Sequence, residues 1–158
     1  MGKIEITKKV LGICATNCYT VVDTETKEAL IIDPADRADV LIRDWKDKGV
    51  TPTTVLLTHG HFDHIGALAG VKKEYPEIRV YAAAEEKEVM ESPALNLSSS
   101  FGAAFTAQAD IYLEDGAEIE VLGRKCKCLL VPGHTKGGMC YYFPEESVVF
   151  TGDTLFCY

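Results

Sequence analysis

Apolar and polar residues alternate along "KIEITKKV" near the start of the chain, the period-two signature of a half-buried strand. "CYTVVD" and "EALIID" follow in denser apolar form, with "DTETKE" as the turn between them. Three strands are therefore expected to open the chain. The period then changes. In "DRADVLIRDWKDKG" the apolar Val40, Leu41 and Trp45 fall at helical spacing. Asp36 or Asp39 is expected to cap that helix and Gly49 to stop it. "TVLLTH" is short, apolar and rich in β-formers, a buried strand that ends directly at His59. "IGALAGVKKEY" reads as a helix stopped by Pro76, "IRVYAA" as a strand, and "AEEKEVMES" as a helix stopped by Pro93. Residues 93–109 show no clear period and are expected to form a loop or short helical segment over the surface. The last third returns to strands: "IYLE", "AEIEVL", "KCKCLLVPG", "GMCYYFP" and "SVVFTGD". Three apolar strands thus each end in a potential ligand, namely His59, His134 and Asp153. In an open α/β sheet, sites form beyond strand ends, which would bring the three together.

Composition narrows the class. The chain has 158 residues, 47% of them hydrophobic, which suits one domain over 1–158 with its own core. No apolar run reaches the ~20 residues of a membrane span. The N-terminus lacks the apolar core of a signal peptide, and Ile6 breaks the myristoylation pattern after Gly2. A cytoplasmic protein without membrane partners is expected. The net charge of −8, with no Lys or Arg cluster, argues against a nucleic-acid partner. The six cysteines are expected to be reduced thiols. Cys126 and Cys128 share one face of a strand, and buried free thiols are favoured over a Cys₄ zinc site.

The chemistry concentrates in "THGHFDHIGA", residues 58–67, which holds three of the four histidines. Residues two apart on an extended turn project to one side, so His59 and His61 can reach one ion. Asp63 and His64 come as the chain turns into a helix, aim elsewhere, and can serve a second ion. Gly60 and Gly66 are expected to permit the tight backbone. Zinc suits such imidazole and carboxylate ligands. The fourth histidine, His134, follows an apolar strand between Pro132–Gly133 and Gly137–Gly138.

His59-x-His61-x-Asp63-His64, then His134 in "PGHTKGG", then Asp153 in "FTGDTLF" resembles the metallo-β-lactamase superfamily. The match is closest to its glyoxalase II-like (hydroxyacylglutathione hydrolase-like) hydrolases, which "NCYTVVD" and "ALIIDPAD" also resemble. The resemblance implies an α/β fold, a four-layer αββα sandwich of two similar halves with the site at one edge. It implies that His59, His61 and His134 hold a first metal, that Asp63 and His64 help hold a second, and that Asp153 bridges both. Two zinc ions are the implied cofactors, with iron or manganese as alternatives. A metal-bound hydroxide would attack a polarised acyl carbonyl. The implied partner is a small-molecule thioester of the S-lactoylglutathione type, whose leaving thiolate needs no strong general acid. Asp63 is the catalytic candidate, as the carboxylate that orients the attacking water and accepts its proton.

The chain departs from the family in one region. The family usually supplies a further histidine downstream of the bridging aspartate, followed by final strands and a helix. Here the sequence ends five residues after Asp153. The second half of the sandwich is therefore expected to be incomplete and the second site to be weak or empty. A fragment of a longer protein, a short protein completed by homo-oligomerisation, and a degenerate domain all remain open. Each keeps the first site, which is expected to be the tighter. Two other functions stand beside the thioester hydrolase. One is a mononuclear iron persulfide dioxygenase, in which His59, His134 and Asp153 form the facial triad. The other is a non-catalytic metal-binding fragment.

Overall fold

The computed structural model describes residues 2–12, 15–100, 104–131 and 138–151, and the backbone of 155–157. Its first sheet begins as an antiparallel meander of β1 (Ile4–Leu11), β2 (Thr16–Asp23) and β3 (Glu28–Ile32). The β2–β3 turn is closed by Asp23, whose Oδ1 accepts the amides of Glu25 and Thr26, an Asx-type turn. The sheet then continues in parallel through β4 (Thr51–Leu56), β5 (Arg79–Ala83) and β6 (Ile111–Leu113). Parallel neighbours need crossovers, and four helices lie in them: α1 (Ala38–Asp47), α2 (Phe62–Ile65), α3 (Leu68–Glu74) and α4 (Lys87–Glu91).

Strand alternation divides the apolar side chains between two cores. Val22, Ile31, Val55, Leu57 and Val80 face the helices and pack with Leu41, Trp45, Ile65, Val71 and Met90. Tyr19, Leu30, Ile32, Leu56 and Tyr81 face the other way. They meet the second sheet, an antiparallel array in the order β11-β10-β9-β8-β7. Its strands are β7 (Glu118–Val121), β8 (Arg124–Leu130), β9 (Met139–Phe143), β10 (Val148–Phe150) and β11 (Leu155–Cys157). Along β8 the side chains of Arg124, Cys126 and Cys128 point inward while Lys125, Lys127 and Leu129 are exposed. Cys126 and Cys128 are thus buried free thiols on one face, as the spacing predicts. The helix–sheet–sheet stack supplies three layers of the αββα sandwich, and all four helices among the described residues pack on the first sheet.

Several boundaries differ from the pattern-based expectation. Neither Asp36 nor Asp39 caps α1. Arg37 occupies the cap position in the left-handed region, with no side-chain cap bond, and Asp39 instead pairs with the Arg37 guanidinium at 3.1 Å. The helix expected over 65–75 is two short ones. They are separated at Gly66–Ala67, where a Cβ on Gly66 would lie 2.2 Å from the Ala35 carbonyl oxygen. Gly60 and Gly66 serve close packing; neither has a positive φ. The helix expected over 84–92 opens as a 3₁₀ turn, Ala84–Glu86, before α4. The β4 strand ends at Leu56, so His59 lies three residues beyond it. Residues 93–100 are no mere surface excursion, because Asn96 and Ser98 are buried. The Asn96 side chain donates to the carbonyls of Met90 and Phe105.

Candidate metal centre

The motif loop leaves the C-terminal end of β4 and is held from three sides. Beneath it lies Asp33, the residue after β3, fully buried and at φ 52°. Its Oδ1 accepts the Thr58 amide at 2.8 Å, and its Oδ2 is bonded by the Thr58 hydroxyl and lies 2.9 Å from His64 Nδ1. A carboxylate there accepts, so Nδ1 carries a proton, and in the neutral imidazole Nε2 presents its lone pair. That Nε2 lies 3.4 Å from Asp63 Oδ2. Asp63 and His64 sit in the single turn of α2, for which His61 is the extended N-cap residue (φ −68°, ψ 152°). The Thr16 hydroxyl at the start of β2 donates to Asp63 Oδ2 at 3.0 Å, leaving Oδ1 outside that bond. The His59 and His64 rings meet edge-on with centroids 4.9 Å apart. The two halves of the motif therefore converge.

The second sheet closes the other side. The Met139 amide donates to the Thr58 carbonyl at 2.9 Å, and the buried Tyr141 hydroxyl donates to the Leu57 carbonyl at 2.6 Å. Burial pushes that phenol well above its ordinary pKa, so it stays a neutral donor. The Val131 amide donates to the Gly138 carbonyl at 2.6 Å. Gly138 packs so closely on His59 that a Cβ would lie 3.0 Å from its Cε1. The residues flanking 132–137 are therefore anchored beside His59. His134, within that segment, and Asp153 lie outside the described residues. Among the described residues, no three His, Cys, Asp or Glu side chains are grouped to hold one ion.

The donor chemistry nevertheless suits a divalent cation. His64 Nε2 faces Asp63 Oδ2 at 3.4 Å, and with the imidazole neutral a shared cation would satisfy both lone pairs. The bond from His64 Nδ1 to a buried carboxylate is the outer-shell partner that metal-ligating histidines usually carry. Asp63 retains 22% side-chain exposure and so remains reachable, whereas His64 is buried beneath it. Sequence reasoning missed Asp33 and Thr16. The signal for Asp33 is its place directly after an apolar strand, "ALIID", the same position that nominated the other ligands. Thr16 carries no local signal. Cys18, buried nearby, has its thiol pushed up to about 12 by burial and then by the Asp33 charge, so it remains protonated at neutral pH.

Comparisons with known proteins show the family and the fold. The family profile of the metallo-β-lactamase superfamily matches residues 11–157. The probable metallo-hydrolase YqgX of Bacillus subtilis is 35% identical over 148 residues, covering 92% of this chain and 69% of YqgX. A hydroxyacylglutathione hydrolase of Synechococcus is 31% identical over 144 residues, covering 87% of this chain and 49% of its own length. The chain thus spans only about half of that relative. Among solved structures, the B3 metallo-β-lactamase BLEG-1 superposes with a TM-score of 0.86 at 36% identity, covering 93% of this chain and 71% of that one.

Proposed function

The chain belongs to the metallo-β-lactamase superfamily, a metal-dependent family, and on that premise we propose that it hydrolyses a small acyl thioester of the S-lactoylglutathione type. The observation that carries the reading is the chain of contacts Asp33–His64–Asp63–Thr16 beside the His59 ring. It orients one imidazole by a buried carboxylate and one carboxylate by a hydroxyl at the open end of the first sheet. The thioester class comes from the hydroxyacylglutathione hydrolase relative.

In this reading His59, His61 and His134 would hold a first ion, Asp63 and His64 would contribute to a second, and Asp153 would be a ligand to both. Bound divalent ions supply Lewis acidity, which acidifies water and polarises an acyl carbonyl. The chain's own residues do the rest. Asp33 keeps the proton on His64 Nδ1, so Nε2 stays available as a donor atom. Thr16 occupies Asp63 Oδ2, which leaves Oδ1 to orient a water and accept its proton. No side chain is needed to protonate a thiolate leaving group.

The test is hydrolysis of S-lactoylglutathione by the purified full chain, read as release of free thiol, with metal content taken from native mass spectrometry. Two zinc ions per chain with thiol release are expected. His134→Ala is expected to lose far more metal than His64→Ala. A single iron with oxygen uptake on glutathione persulfide would replace the reading with a dioxygenase. Bound metal without turnover of either substrate would leave a metal-binding domain.

A further inference from the structure

One buried carboxylate beside the motif loop has no part in the reading above. Glu86 ends the 3₁₀ turn after β5 and is 1% exposed. Its Oε1 accepts the Gly60 amide at 2.8 Å. Gly60 is the residue between His59 and His61, and it is buried. Two residues on, the Phe62 amide donates to the Asn96 carbonyl at 2.7 Å. In extended chain, amides two residues apart point to the same edge while side chains project across it. His61 is extended, so 60–62 is held along one edge as a strand is held by its neighbour, with a carboxylate and a carbonyl as the acceptors. Met90, one turn further along α4, fills the space beneath. A Cβ on Gly60 would lie 2.7 Å from Met90 Cγ.

We propose that Glu86 is a positioning residue for the first metal site: its carboxylate fixes the Gly60 amide and thereby the relative projection of His59 and His61. This rests on those histidines being ligands, as proposed above. The physical case is one of degrees of freedom. The Thr58 bonds to Asp33 and Met139 and the Phe62 bond pin the segment at its two ends. The Glu86 bond adds a point between them, at the residue joining the two histidines. A backbone amide bonded to an ionised carboxylate is among the stronger hydrogen bonds in proteins. Without it the Gly60 amide is left buried and unsatisfied, so the peptide turns to find another acceptor and carries both imidazoles with it. Outer-shell partners of metal ligands typically control affinity by about 10- to 100-fold.

The experiment uses the full chain, stripped by chelation and titrated with Zn²⁺ against a fluorescent zinc indicator, and with Co²⁺, whose absorption reports its ligands. Glu86→Ala is expected to weaken the tighter ion about tenfold or more. Glu86→Gln keeps an oxygen acceptor at the same reach and is expected to restore most of the affinity. Glu85→Ala, exposed on the same turn, is expected to match the wild type. Glu86→Met fills the volume without an acceptor and carries the test if the alanine variant does not fold. Hydrogen exchange of the Gly60 amide in metal-free protein is expected to be slow in wild type and Glu86→Gln and fast in Glu86→Met. Unchanged affinity in Glu86→Ala or Glu86→Met overturns the proposal, as does a glutamine variant as weak as the alanine one. A Gly60 amide that exchanges rapidly in the wild type also overturns it. A wild-type chain that binds no ion would instead sink the metal reading itself, and this proposal with it.

Discussion

Asp33→Asn is expected to weaken the proposed second ion, and with it the proposed thioester hydrolysis, by about 100-fold, the upper end of what outer-shell partners of metal ligands contribute. Asparagine fits the backbone, because φ 52° at this position is a conformation it tolerates well. Its Oδ1 can still accept the Thr58 amide. The loss is confined to the other atom. An amide nitrogen beside His64 Nδ1 donates where the carboxylate accepted, so the imidazole proton moves to Nε2, the atom 3.4 Å from Asp63. A protonated Nε2 cannot ligate. Asp33→Ala removes both acceptors, leaves the buried Thr58 amide unsatisfied, and is expected to lower stability as well. The check is a two-site zinc titration of the asparagine variant alongside its unfolding curve. Loss of the second ion with unfolding unchanged is the predicted pattern. Unaltered occupancy would show that Asp33 merely supports the fold.

Arg124→Met is expected to cost about 3 kcal/mol of folding stability, the low end for removing one partner of a buried ion pair. Out of a typical total of roughly 5–15 kcal/mol that is a large share. The Arg124 side chain is 1% exposed. Its Nη1 lies 2.8 Å from Asp23 Oδ2 and 2.8 Å from the Leu122 carbonyl, its Nε lies 2.7 Å from Glu146 Oε1, and its Nη2 bonds the Gly2 carbonyl. One guanidinium thus ties the end of β2 and the N-terminal strand to the second sheet. Methionine leaves Asp23 as a buried carboxylate with only the amides of Glu25 and Thr26, which is why the low end of the range is the better figure. The pair also sets an acid dependence. The bond to Arg124, followed by the Thr26 amide, holds the Asp23 carboxyl at about 2, below its ordinary 3.8. A depressed carboxylate stabilises the fold above its unfolded pKa, and that contribution is lost as pH falls through the folded value. Wild-type stability from this group should therefore be full above about pH 4 and decline towards pH 2. Urea unfolding from pH 2 to 5 should show a shallower slope in Arg124→Met. Parallel curves would assign the acid dependence to other carboxylates.

Much of this architecture was legible in the chain because period is a local property. Alternation in "KIEITKKV" and the dense apolar runs of "EALIID" and "KCKCLLVPG" announce strands wherever they fall, and the inward face shared by Cys126 and Cys128 follows from spacing alone. The motif His59, His61, Asp63 and His64 was equally plain, because it crowds potential donors into a few consecutive residues. Boundaries set by contact were out of reach. Position 66 admits only glycine because the Ala35 carbonyl lies where a side chain would be, and Ala35 is thirty-one residues away. Arg37 displaces two better capping residues by adopting the left-handed region. The buttresses of the site were hidden for the same reason. Thr16 and Glu86 sit in unremarkable sequence, Asp33 is marked only by its place after an apolar strand, and the three come from separate parts of the chain. The sequence by itself nominated the candidate ligands, since side-chain type and short spacing are local properties. Only the tertiary structure decided which atom of His64 carries the proton and which oxygen of Asp63 is held. It alone shows that one carboxylate grips the peptide between two histidines. Those are properties of neighbours in space, and folding alone brings Asp33, Thr16 and Glu86 to the loop they support.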